Sequence, residues 1–181
     1  MAPDLVVLGL GSNMGDSRRV VLDAVTALGQ ILTAVRRASL YETDPLYVTE
    51  QRSFINTAVT GFFSGSPREL LSCIHRIEAS FGRDRRGEQR WGQRILDIDI
   101  LLFGECRKIF PAENEPELEI PHPRLAERRF ALQPLLELLP DASEPGTGLL
   151  YRDICARLPP QGVKLVSESS LLQNRQSPTI L

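Results

Sequence analysis

The chain has 181 residues, enough for one domain with a sizeable core, and its 42% hydrophobic and 24% charged content excludes extensive disorder. A net charge of −2 gives no overall attraction to nucleic acid or membrane, so any affinity for an anion must be local. Cys73, Cys106 and Cys155 are odd in number and lack metal-ligand spacing, which excludes a disulfide framework and a cysteine zinc site and fits a reducing, cytoplasmic setting.

The apolar run over residues 5–10, ended by Gly11-Ser12-Asn13, predicts a central first strand rather than a signal peptide. Asp16 or Ser17 caps the helix that follows, whose stripe is Val20, Val21, Ala24, Val25, Leu28, Ile31 and Leu32. Residues 34–41 read as a second strand, residues 42–53 as a loop containing Asp44-Pro45, and residues 54–63 as a third strand rich in β-branched and aromatic side chains. Ser66-Pro67-Arg68-Glu69 carries a helix start, with Ser at the cap, Pro at the first position and Glu placed for a capping box. Leu70, Ile74, Ile77 and Phe81 form the buried stripe, and Gly82 ends the helix.

Residues 83–94 then gather Arg83, Arg85, Arg86, Arg90 and Arg94 against Asp84 and Glu88, a local net charge of +3. They lead into Ile-Leu-Asp-Ile-Asp-Ile-Leu-Leu at 95–102, a buried strand by its apolar content, although Asp is depleted from strands and costly to bury alone. Side chains alternate along a strand, so Leu96, Ile98 and Ile100 share one face and Asp97, Asp99 and Leu101 the other. The two Asp Cα atoms then lie roughly 6.6–7 Å apart. Such a face can hold divalent cations between its carboxylates, and the guanidinium groups beside it point to a phosphate-rich ligand. Trp91, set between Arg90 and Arg94, is a ring placed to stack near that ligand.

Further on, residues 105–120 are irregular with a short hairpin. Pro121-His122-Pro123 breaks structure and fixes the backbone of one of only two histidines, the other being His75. Helices follow at 124–139 and 150–158, then an edge strand at 163–166. No run is long enough to span a bilayer. The order β-α-β-β-α-β predicts an α+β fold with a ferredoxin-like core. Its four-stranded antiparallel sheet carries two helices on one face, and C-terminal helices are added. Residues 1–160 are expected to form one domain, with 161–181 an edge segment and loose tail. Gly9-Leu10-Gly11-Ser12-Asn13-Met14-Gly15 fails the dinucleotide fingerprint, since Met14 stands at the third glycine. No GxxxxGK[ST] occurs. The glycines read equally well as a tight strand-to-helix turn.

Taken together these stretches resemble the 6-hydroxymethyl-7,8-dihydropterin pyrophosphokinase family of folate synthesis. The likeness is carried by Gly11-Ser12-Asn13, Tyr41-x-Thr43-x-Pro45-Leu46, Phe54-x-Asn56, Arg76-Ile77-Glu78, Gly82-Arg83-x-Arg85, Arg90-Trp91-Gly92-x-Arg94-x-Leu96-Asp97-x-Asp99 and Pro121-His122-Pro123 with Arg128 and Phe130. It runs in the family's order over about residues 5–158. The resemblance implies transfer of pyrophosphate from ATP to the pterin's hydroxymethyl oxygen, with AMP leaving; the expected partners are these two small molecules, with neither nucleic acid nor membrane, and the chain is expected to be a monomer. It implies two Mg2+ ions on Asp97 and Asp99, and Arg83 and Arg94 clamping the β- and γ-phosphates. His75, Glu78, Arg85, Arg90, Trp91, Ile100, His122 and Arg128 would complete the ATP site. Phe54 and Phe130 would sandwich the pterin, Asn56 would read its edge, Thr43, Asp44 and Leu46 would line it, and Trp91 would close over it. Phe54 stands where the family often has Tyr, and Gln93 where it often has Pro. Two other readings compete: a magnesium-dependent nucleotide hydrolase with water as acceptor, and an RNA-binding ferredoxin-like module stacking bases on its sheet.

Overall fold

The structure, a computed structural model, describes residues 2–45, 50–83, 92–111 and 118–166. Leu46, Arg85, Arg90 and Trp91 lie outside them. Two central strands organise the rest. β1 (Asp4–Ser12) pairs antiparallel with β4 (Phe54–Phe63) on one side and with β5 (Asp97–Phe103) on the other. β2 (Thr33–Arg37) and β3 (Tyr41–Thr43) both pair with the far edge of β4, and β8 (Val163–Leu165) adds antiparallel to β3. A separate hairpin joins β6 (Lys108–Phe110) to β7 (Leu118–Ile120). The fold is thus α+β with an antiparallel sheet of β5-β1-β4-β3-β8, β2 lying beside β4.

The expected second strand is two strands, and the reason is tertiary. At the junction the Thr57 hydroxyl donates to the carbonyls of Ala38 and Ser39, 3.0 Å from each, and Glu137 accepts the Ser39 amide at 3.0 Å. Backbone groups that would have continued the ladder are taken by side chains from elsewhere, so the chain bends between β2 and β3.

Local signals set the helix starts. Asp16 caps α1 (Ser17–Leu28) by accepting from the Arg19 amide at 3.1 Å. Ser66 and Glu69 form the reciprocal capping box of α2 (Pro67–Ser80): the Glu69 amide donates to Ser66 Oγ at 3.3 Å and the Ser66 amide to Glu69 Oε2 at 2.7 Å. Gly82 follows at a φ of 87°, a region open chiefly to glycine. Both helices cover one face of the sheet, burying Leu8, Leu10, Ile98 and Ile100 beneath Val21, Leu28, Leu70 and Ile74. The opposite face is only partly covered. There α3 (Arg129–Leu138) and α4 (Tyr151–Arg157) pack Leu132, Leu135 and Tyr151 on Val7, Leu101 and Leu102. The expected helix over 124–139 is a single 3-10 turn at Leu125–Glu127 and then α3. No helix among the described residues is long and apolar enough to cross a membrane.

β5 holds one irregularity. Val7 pairs with Leu102 but Leu8 with Ile100, so Leu101 is an extra, unpaired residue. The bulge changes the strand's phase: Ile98 and Ile100 face α1 and α2, whereas Leu101 and Leu102 both join the α3 side. The Leu101 carbonyl accepts the His122 amide at 3.1 Å, fixing the chain just after the cis peptide between Ile120 and Pro121.

Candidate active site

Beside the start of α3 the second face of the sheet is open, and a cavity of about 300 Å³ lies there. Its floor is made by β1 and β5, with Gly11 opposite Asp97 and Gly9 opposite Asp99. The glycines keep that floor low. A Cβ on Gly11 would stand 2.7 Å from Asn56 Oδ1, and one on Gly9 3.3 Å from the Leu101 methyls. The Gly9-x-Gly11 spacing is therefore a strand feature that gives neighbouring side chains room, not a phosphate loop or a turn; the turn is at Gly15, with a φ of 61°.

One wall is polar and aromatic. Asn56 of β4, buried, donates through Nδ2 to Thr43 Oγ1 of β3 at 2.7 Å, which leaves the Thr43 hydroxyl proton free to donate. Asp44 and Phe54 continue that wall, and Phe130 at the start of α3 lines the cavity from a second element. At the mouth, Asn13 ties two flanking segments together. Its Nδ2 donates to Gln51 Oε1 at 3.1 Å, and its Oδ1 accepts the Arg94 amide at 2.8 Å.

The two carboxylates sit in opposite electrostatic settings. Asp97 Oδ1 accepts from Arg83 Nη1 at 2.6 Å and Arg94 Nη1 at 3.0 Å. Burial alone would raise its carboxyl, but Arg94 and Arg83 outweigh that and hold it below the usual range. Asp99 has weaker support. Its Oδ2 lies 3.5 Å from Arg128 Nη1 and 3.8 Å from His122 Nε2. Burial, together with the charge of Asp97, pushes its carboxyl up to about 7.

His122 is a neutral donor. The Arg124 amide donates to its Nδ1 at 3.1 Å, which assigns the remaining ring proton to Nε2. Burial, then the positive charge of Arg128, lowers its pKa to about 4, so the ring is uncharged near neutrality. Nε2 lies 3.3 Å from Arg128 Nη1, and with both nitrogens carrying hydrogen neither can accept from the other. Both donors converge on Asp99 and the open cleft, a geometry suited to an oxyanion.

Of the residues singled out in the sequence, Thr43, Asp44, Phe54, Asn56, Arg94, Asp97, Asp99, His122, Arg128 and Phe130 all line this one cavity. Arg83 reaches Asp97 from below, with its guanidinium in the interior. Glu78 is not at the cleft. It is 1% exposed, and its carboxylate is shared between the Arg83 guanidinium and the Ile98 amide at 2.9 Å. The Ile100 side chain also turns away, into the core under α1 and α2. His75 is half-buried on α2 and does not line the cavity. Gln51 and Asn13 were not signalled as site residues by their local sequence, because their partners are far along the chain.

Residues 7–140 match the family model described as 7,8-dihydro-6-hydroxymethylpterin-pyrophosphokinase (HPPK). A Bacillus subtilis protein named 2-amino-4-hydroxy-6-hydroxymethyldihydropteridine pyrophosphokinase is 40% identical over 146 residues, covering 80% of this chain and 83% of its own. One of the same name from Methylorubrum extorquens is 37% identical over 161 residues, covering 88% and 96%. An Arabidopsis thaliana folate synthesis bifunctional protein is 39% identical over 135 residues, and there the match spans only 27% of the longer relative. The crystal structure of wild-type Plasmodium falciparum HPPK-DHPS superimposes with a TM-score of 0.69 at 16% identity, over 87% of this chain and 45% of that one, a likeness of fold.

Proposed function

The chain belongs to the 7,8-dihydro-6-hydroxymethylpterin-pyrophosphokinase family, and from that membership we propose its reaction: pyrophosphate passes from ATP to the hydroxymethyl oxygen of 6-hydroxymethyl-7,8-dihydropterin, in folate synthesis. The acceptor oxygen bonds to the β-phosphorus as the bond from that phosphorus to the α,β-bridging oxygen breaks. AMP leaves, and the hydroxyl proton is lost to water. The observation that carries this reading is the meeting of a carboxylate pair, an arginine and imidazole donor pair, and two phenyl rings in one cleft.

The residues divide by substrate. Phe54 and Phe130 stack the flat pterin, while Asn56 and Thr43 present donors and acceptors to its edge. Arg128 and His122 Nε2–H hold triphosphate oxygens, and Arg94 is shared between Asp97 and a phosphate. Charge spread over a transferring phosphoryl group calls for positioning and fixed donors rather than covalent catalysis. Arg83, occupied below by Glu78 and Leu96, fixes the orientation of Asp97. Under this reading the chain works as a monomer.

Asp97 and Asp99 fit divalent cations, and we assign them two Mg2+ ions. Asp99 is held more loosely than Asp97, with Arg128 Nη1 at 3.5 Å from its Oδ2, and its pKa is raised, so a cation beside it would offset the cost of its charge. No cluster of three His, Cys, Asp or Glu occurs among the described residues, so phosphate oxygens and water would supply the other ligands, a set that Mg2+ favours. When bound, Mg2+ neutralises phosphate charge and lowers the pKa of the acceptor hydroxyl. We also read the sheet, with its β5-β1-β4 core and helices α1 and α2 on one face, as ferredoxin-like with added strands.

The test is the nucleotide product. With MgATP and the reduced pterin alcohol, AMP forms only when the pterin is present. ADP, or turnover without pterin, would instead make the protein a hydrolase. Two carboxylates on the open sheet face also oppose an RNA backbone, which disfavours the RNA-binding reading.

A further inference from the structure

The family match ends at residue 140, yet a segment beyond it touches both walls of the cavity. Gln161 reaches the wall that carries Arg128 and Phe130. Its Oε1 accepts the Arg129 amide at 2.8 Å, and its Nε2 donates to the Glu127 carbonyl at 2.8 Å, so one amide side chain grips the backbone on either side of Arg128. Two residues on, Val163 pairs with Thr43, in the wall that β3 supplies. Gly162, between them, lies against Asp44. It has a φ of 62°, and a Cβ there would stand 2.9 Å from Asp44 Cγ and closer still to the carboxylate. The Arg129 guanidinium bonds the Leu158 carbonyl at 2.6 Å and the Cys155 carbonyl at 2.9 Å, which anchors the segment's approach to α3.

We propose that residues 161–163 are a brace that sets the separation of the two pterin-contacting walls, with Gln161 and Gly162 as positioning residues for that substrate. The walls come from β3 and from the start of α3, which are joined along the chain only through a long detour. A flat ring held between Phe54 and Phe130 is sensitive to their spacing, since stacking falls off steeply over a fraction of an ångström. A brace at one end of both walls limits their drift. Glycine is required at its centre because only that residue combines the positive φ with close approach to Asp44. The inference rests on the pterin being the occupant of the cleft.

The test uses the full chain with 6-hydroxymethylpterin, followed by its fluorescence in the presence of Mg2+ and a non-hydrolysable ATP analogue. If the wild type does not bind the pterin, the functional reading itself fails. Given wild-type binding, Gln161→Leu and Gly162→Ala are each expected to weaken pterin about five- to tenfold, with ATP-analogue affinity within about twofold and, in a separate assay with MgATP and the reduced pterin alcohol, kcat at saturating pterin within about twofold, the effect of one lost positioning contact. Gln161→Glu keeps the acceptor for the Arg129 amide and should recover part of the loss. Unchanged pterin affinity in both variants would overturn the brace. So would an equal fall in pterin and nucleotide affinity in both, which would mean general loosening. Gln161 is only partly buried, so Gln161→Leu decides the question even if Gly162→Ala does not fold.

Discussion

The two faces of the central sheet are built from alternate residues of the same strands, yet they differ completely in chemistry. Toward α1 and α2, β1 and β5 present Leu8, Leu10, Ile98 and Ile100, all buried in one apolar cluster. Toward the cleft they present Gly9, Gly11, Asp97 and Asp99. Gly9, Asp97 and Asp99 therefore each sit between two core residues that hold their backbone still. The dry face bears the stability, and the open face is free to carry charge and empty space at a cost in stability.

Substitutions on the two faces should separate those roles. The largest effect is expected at Asp99→Asn, where AMP formation should fall by about a thousandfold or more while the circular dichroism spectrum is kept. An active variant would remove the carboxylate from the chemistry. On the other face, Ile100→Ala should cost about 2–5 kcal/mol in urea unfolding and leave kcat nearly unchanged at a temperature where the protein is folded. Gly11→Ala comes next. Its methyl would displace Asn56, and pterin affinity should drop about tenfold with ATP affinity retained, as read by titration.

The smallest effect concerns stability against pH without metal. The Asp99 carboxyl has a folded pKa of about 7, above its unfolded value, so the folded state binds the extra proton. Metal-free stability should then fall as pH rises from the ordinary carboxylate range through about 7, and Asp99→Asn should flatten that slope. Since Asp99 is 37% exposed, the difference above pH 7 is only about 1 kcal/mol after allowing for solvent screening. Thermal melts across that range, with and without Mg2+, measure it. A variant with the wild-type slope would assign the titration elsewhere.

Much of this division is written locally. The capping box at Ser66 and Glu69, the Asp16 cap and the alternation of Ile98 and Ile100 with Asp97 and Asp99 need only neighbouring residues, so they can be read before any fold is known. The break between β2 and β3 cannot, because it depends on Thr57 and Glu137 taking backbone groups from across the fold. Gly9 and Gly11 were ambiguous for the same reason: what makes them necessary is Asn56 and Leu101, on two other strands. Glu78 shows the limit of reasoning from family likeness. Its carboxylate is committed to the interior, where it orients Arg83 and through it Asp97.

The unpaired Leu101 makes strand alignment and chemistry a single event. Its carbonyl holds the His122 amide, and its insertion lets the downstream strand fill the α3 side while Asp99 upstream still looks into the opening. A chain that zipped β1 to β5 without that extra residue could still form a ladder of hydrogen bonds. It would lose the anchor for His122, so a one-residue miscount during folding would yield a sheet whose edge lacks a fixed imidazole.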